Sequence, residues 1–136
     1  MSKDYSRRSL SSDKYKTDSW IYDGLFNGCT YQSGWFDPCP IDYNSKTDLN
    51  SLELEWNYDK YFINPPYSNP LPWVKKAIET HNQTGATIVM LLKHDTSTKW
   101  YKLFHEFGAK ILLVNGRLKH GTDKTCAFPS ILAILF

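Results

Sequence analysis

The chain has 136 residues, 15% of them aromatic, and a net charge of +2 at neutral pH. That length holds one core and leaves little room for a second domain. The charge is too small to argue nucleic-acid binding by itself, and no apolar run approaches the roughly 20 residues of a membrane-spanning helix.

Three cysteines (Cys29, Cys39, Cys126) without CxxC spacing argue against a disulfide framework and a zinc site. Four histidines (His81, His94, His105, His120) show no ligand spacing, so no metal is expected. Cys39 follows Pro38, and no histidine or helix start adjoins it to make a nucleophilic thiolate.

In chain order, residues 1 to 14 are rich in Ser, Lys, Arg and Asp and read as a flexible arm. Arg7, Arg8 and Lys14 there are either solvated or phosphate contacts. The segment after Met1 lacks the apolar core of a signal peptide, which predicts a cytoplasmic protein. Residues 15 to 136 are read as one domain. Trp20, Ile21 and Leu25 lie at helical spacing behind Thr17 or Asp18 as N-cap, with Gly24 or Gly28 as the stop. The start of such a helix offers free amides to a carboxylate. Gly34-Trp35-Phe36 predicts a brief strand ending at Asp37-Pro38. An acid at that edge suits an ammonium or ribose hydroxyls, or is a plain turn aspartate. No G-x-G-x-x-G follows, so a dinucleotide is not expected. Asp42 to Asn50 is a polar loop. Leu52, Leu54 and Trp56 then alternate with Glu53 and Glu55, as a short strand or a half-buried connection.

Tyr61 to Ile63 reads as a buried strand that stops at Asn64-Pro65-Pro66-Tyr67-Ser68. Two adjacent prolines remove two donors, fix two φ angles, and push each preceding residue out of the helical region. The result is a rigid turn at a strand's carboxyl edge, where open α/β sheets bind ligands. It presents an amide oxygen, carbonyls and one flat ring. Asn64 and the Pro65 carbonyl can accept the two N–H bonds of an exocyclic amine, and Tyr67 can stack on its ring. The plain alternative is a stiff loop with a packed tyrosine.

Pro72 suits the first turn of a helix in which Trp73 and Ala77 share one side and Lys75 and Glu79 the other. Gly85 ends it. Ala86 to Leu92 predicts a strand buried on both faces, followed by a polar loop from Lys93 to Thr98. Trp100, Leu103, Phe104 and Phe107 predict an amphipathic helix closed by Gly108. Ala109 to Val114 and Ser130 to Phe136 are the last two strands. Between them Arg117, Lys119, His120 and Lys124 gather at one tip, as a solvated hairpin or a phosphate contact. Asp37 and Asn64 are too close for two βα units of about 30 residues each, so a doubly wound sheet would be trimmed at its first edge.

Asn64-Pro65-Pro66-Tyr67 is similar to the catalytic motif of amino-directed methyltransferases. From Tyr15 onward the chain resembles the small phage-encoded Dam-type DNA N6-adenine methyltransferases. The resemblance is carried by Tyr15 and Thr17, Trp35-Phe36-Asp37-Pro38-Cys39, Asn64 to Ser68 and Trp73-Val74-Lys75-Lys76-Ala77. It continues through Gly85-Ala86-Thr87, Leu91-Leu92, Thr96 to Trp100, Gly116-Arg117-Leu118 and Ala127-Phe128-Pro129-Ser130. Asp18 stands where proline is usual, a glycine is absent between Asp48 and Leu52, and Lys93 replaces a common proline.

The resemblance implies an α/β fold: a trimmed Rossmann-like methyltransferase sheet, mostly parallel, with an antiparallel C-terminal hairpin and helices on both faces. It implies S-adenosylmethionine as cofactor and adenine N6 in DNA as target, with the amino group of a flipped or unpaired base attacking the methyl carbon in line. The implied catalytic residues are Asn64, Pro65, Pro66 and Tyr67. Tyr15, Thr17, Asp37, Pro38, Asp48 and Asn64 would bind the cofactor. Tyr67, Ser68, Trp73, Arg117 and Lys119 would bind the substrate. Such a protein would be virus-encoded and act in the host cell. The alternatives are a protein-glutamine or RNA amino methyltransferase using the same motif, or a non-catalytic relative that binds cofactor or DNA.

Overall fold

In a computed structural model of the chain, the residues described are 35–39, 51–119 and 128–136. The expected arm, the helix behind Thr17 or Asp18, the loop of residues 42–50 and the tip at His120 and Lys124 lie outside them.

The described residues build strands β1 (Lys60–Ile63), β2 (Thr87–Lys93), β3 (Lys110–Leu113) and β4 (Ser130–Leu135), with helices α1 (Leu71–Thr84) and α2 (Lys99–Phe107). The order across the sheet is β1-β2-β4-β3. β1 pairs parallel with β2, from Lys60 opposite Thr87 to Ile63 opposite Met90. β4 runs antiparallel to both β2 and β3.

The helix boundaries follow from local chemistry. Pro72 sits in the first turn of α1, where a missing N–H costs nothing. Gly85 ends the helix at φ 76°, its N–H bonded to the His81 carbonyl at 2.8 Å. Thr98 caps α2 by accepting the Tyr101 N–H at 3.2 Å, and Gly108 at φ 86° closes it.

The alternation of side chains along the strands separates two apolar layers. Tyr61, Ile63, Ile88, Met90, Leu92, Ile131 and Ala133 face the layer that holds Trp73, Val74, Ala77, Trp100 and Phe104 of the two helices. Phe62, Val89, Leu91 and Leu132 face the other layer, where Leu118 folds over them beside Trp35 and Val114. Each fully buried Ile, Leu or Phe here contributes about 1.5–3 kcal/mol relative to exposure. The five consecutive buried residues of β2, Ile88 to Leu92, mark it as the strand covered on both faces.

Among the described residues the sheet is mixed: one ladder between named strands is parallel and two are antiparallel, with the last two strands forming the expected antiparallel pair at one rim and β4 also pairing with β2. Among the described residues both helices lie on one face, packed against each other. The strand expected at residues 34–36 is reduced to one parallel bridge between Phe36 and Tyr61. Of the two readings of residues 52–56, the half-buried connection holds: Ser51–Glu53 forms a short 3-10 turn. It leaves Leu54 exposed and buries Trp56, whose indole N–H donates to the Ser51 carbonyl at 2.9 Å.

Candidate active site at the carboxyl edge of the sheet

β1 ends at Ile63, level with Met90, while β2 continues through Leu91, Leu92 and Lys93. Asn64 therefore leaves the sheet beside a strand that projects past it. Pro65 is buried and Pro66 half-buried. The Asn69 N–H donates to the Pro66 carbonyl at 3.2 Å, closing a turn that carries Tyr67 and Ser68. One residue later Pro70 caps α1, and its carbonyl accepts the Val74 N–H at 3.1 Å. The motif is thus clamped between a buried strand and a helix start.

Tyr67 is half-buried, and its hydroxyl donates to the Leu91 carbonyl at 3.3 Å. Its ring meets Phe128 at 5.5 Å between centroids, tilted by 59°. On the neighbouring side, the bridge at Phe36 brings Asp37 to the same edge, because Phe36 runs parallel to β1. The Cys39 N–H donates to Asp37 Oδ1 at 2.8 Å, which fixes that carboxylate over buried Pro38 and Cys39.

The loop after β2 completes the rim. His94 N–H donates to the Pro129 carbonyl at 2.9 Å, tying it to the start of β4. The Ser97 hydroxyl and amide both donate to Asp95 and hold its carboxyl below the ordinary range. Thr98 donates its hydroxyl to the Asp95 carbonyl at 2.9 Å. Lys93 extends its ammonium over the Phe128 ring, 5.6 Å from the centroid.

Of the residues singled out in the sequence, the fold brings Asp37, Pro38, Asn64, Pro65, Pro66, Tyr67 and Ser68 to one edge. Trp73 is not among the exposed residues there. It is 4% exposed in the helix-side core, 6.3 Å from the Trp56 ring, so its ring has no face to offer a substrate. Arg117 and Lys119 are exposed and flank buried Leu118. The chain bearing them leaves β3 at the same edge, and Leu118 between them packs on the face away from the helices, with Phe62 of β1 and Val89 and Leu91 of β2. Tyr15, Thr17 and Asp48 lie outside the described residues.

The family model described as DNA N-6-adenine-methyltransferase (Dam) matches residues 8–127. The chain belongs to that family. It is 30% identical to the DNA N-6-adenine-methyltransferase of Haemophilus phage HP1, over 92% of this chain and 75% of that protein. It is 38% identical to the protein of the same name from Escherichia phage T1, over 62% of this chain and 35% of that one. No solved structure matches.

Membership in the Dam family gives weight to the edge that holds the motif over other concavities. An open groove of about 370 Å³ on the helical layer is lined by Lys75, Ile78, Glu79, Asn82, Gln83 and Leu103, and by no residue of that edge. Among the described residues no group of three or more His, Cys, Asp or Glu could hold a metal, and no helix is long and apolar enough to cross a membrane. The sequence assigned no role to Phe128 or Lys93. Phe128 had a signal, an aromatic ring before Pro129 at the entry to the last strand. Its contact with Tyr67 joins residues 61 positions apart, which no local pattern reveals.

Proposed function

We propose that this chain methylates the N6 amino group of adenine in DNA, with S-adenosylmethionine as methyl donor. The observation that carries the proposal is the placement of Asn64-Pro65-Pro66-Tyr67 at the carboxyl edge, between β1 and α1, in a chain of the Dam family. The order β1-β2-β4-β3, with β4 reversed, fits one end of a trimmed Rossmann-like methyltransferase sheet.

Adenine's amino lone pair is delocalised into the ring and is a poor nucleophile. The Asn64 side-chain oxygen and the Pro65 carbonyl accept the two amino hydrogens. Those bonds favour a tetrahedral nitrogen whose lone pair points away from the ring. The prolines hold both acceptors where no chain rearrangement is needed, so the contribution is placement and charge matching at about 3 Å. Tyr67 stacks on the base, worth roughly 1–3 kcal/mol, which offsets part of the cost of unstacking it from duplex DNA.

When bound, the cofactor would supply an electrophilic methyl carbon on its sulfonium, and the amino nitrogen that takes it would give up one proton to solvent. The chemistry of the edge fits it: the Asp37 carboxylate, braced by the Cys39 amide, suits an ammonium or ribose hydroxyls. Asp37, Pro38 and Asn64 are the described residues that would hold it, joined by Tyr15, Thr17 and Asp48. Ser68, Arg117 and Lys119 are read as DNA contacts, and the protein as virus-encoded and active in the host cell.

The test is expression in a host free of adenine methylation, followed by sequencing of modified bases. N6-methyladenine at a defined short sequence is expected. Its absence from cells containing folded protein, with methyl transfer instead to RNA or to a glutamine peptide in vitro, would overturn the assignment.

A further inference from the structure

Lys93 is the last residue of β2, exposed, and opposite Ser130 in the ladder with β4. Strand alternation puts Lys93 on the same face as Leu91 and Ser130, the face away from the helices. Phe128 lies two residues before Ser130, under the Lys93 ammonium at 5.6 Å. A ring face attracts a cation within about 6 Å of its centroid. Phe128 in turn abuts Tyr67 at 5.5 Å, and the Tyr67 hydroxyl is bonded to Leu91, two residues before Lys93 on the same strand.

We propose that Lys93 is a positioning residue for the target base: by holding Phe128 it sets the tilt of the Tyr67 ring on which the base stacks. The inference rests on the proposed function for the identity of the base. Two features favour it over a plain surface lysine. Asp95, whose carboxyl feels the Lys93 charge, has Oδ1 occupied by both Ser97 donors, while the Lys93 ammonium lies over the Phe128 ring. The entry to β4 is also pinned from the same loop, by the His94 N–H on the Pro129 carbonyl. A cation above a ring whose backbone is fixed can select among ring orientations. The same cation over a mobile ring could not.

The experiment uses the full chain, with Lys93→Met, Lys93→Arg, Phe128→Leu and the Lys93→Met/Phe128→Leu pair, each checked by thermal unfolding. Methyl transfer is followed on unmethylated DNA. Lys93→Met raises KM for DNA roughly two- to five-fold, the size of an exposed cation–ring contact. Lys93→Arg restores it, and in the Phe128→Leu background Lys93→Met has no further effect. In the free protein, Lys93→Met shifts the ring proton resonances of both Phe128 and Tyr67, and Lys93→Arg does so far less. Independent, multiplying effects on KM, with a salt dependence lowered by about one phosphate contact, would show that Lys93 grips DNA directly and would overturn the inference. Unmoved Tyr67 resonances would overturn it too. A wild-type protein that methylates no DNA would sink the proposed function instead, and the resonances alone would then decide the role of Lys93.

Discussion

Two turns leave the sheet at the same edge and are stiffened in opposite ways. The turn after β1 is stiffened by Pro65 and Pro66. The turn after β2 is stiffened by its own polar side chains, with Asp95 taking two bonds from Ser97 and giving its carbonyl to Thr98. Proline removes donors and leaves acceptors in place. A loop closed by side-chain bonds spends its acceptors on itself. In the second turn the Asp95 carboxylate is held by Ser97, whereas the proposed function assigns the chemistry of the first turn to a neutral amide beside two prolines.

The largest effect should come from breaking the first turn. Asn64→Ala removes the acceptor that the proposed function assigns to the reacting amine and leaves both prolines in place. We expect kcat to fall by roughly 10²–10³, the usual loss for one oriented hydrogen-bonding group at a reacting centre. Cofactor affinity, read by calorimetry, should stay largely intact. Near-normal turnover would remove Asn64 from the mechanism and, with it, the contrast between the turns.

The next effect is on the ring the first turn presents. Tyr67→Ala should weaken base capture by roughly 1–3 kcal/mol, seen as a higher KM for DNA. Tyr67→Phe keeps the ring and loses the long hydrogen bond to Leu91. It should cost less than about 1 kcal/mol. Equal losses for the two variants would mean that the hydroxyl, and not the ring, matters.

The second turn predicts a pH signature instead of a catalytic one. Ser97 lowers the folded pKa of Asp95 below its ordinary 3.8. A depressed carboxyl stabilises the fold at pH values above the ordinary pKa, and the effect is lost as pH falls through the folded value. The thermal midpoint of Asp95→Asn should therefore sit slightly below wild type at pH 5 to 8, and the two should converge as the pH drops below about 4. A difference that persists in acid would mean Asp95 acts by shape and not by charge. Because the group is solvent-facing, the offset should be small.

How far this was visible in the sequence depends on the range of the contacts. Periodicity and end signals marked α1, α2 and the strands to within a few residues, because caps such as Thr98, Gly85 and Gly108 act locally. The prolines after Ile63 marked the motif for the same reason. Periodicity put Trp73 and Ala77 on one side of a helix. It does not say that this side faces the sheet, where Trp73 is buried, and the substrate contact for Trp73 comes from the resemblance alone. Strand order was likewise out of reach: β4 joins β2 by pairing Lys93 with Ser130, 37 residues on, and nothing near either residue announces it. That same pairing creates the contact of Lys93 with Phe128.

The smallest predicted effect tests whether β4 at this edge is built for stability. Ser130 is 1% exposed, and among the described residues its hydroxyl is the one buried side-chain polar atom without a hydrogen-bond partner. A buried group left unpaired carries the desolvation penalty without the return. If only the fold mattered, alanine would serve as well or better. Ser130→Ala should thus be neutral or stabilising by up to about 1 kcal/mol in urea unfolding. It leaves the Lys93 pairing intact, because the ladder bonds are made by the backbone. A clear loss of stability would reveal a partner for the hydroxyl in solution, on the same face of the rim that carries Lys93 and Phe128.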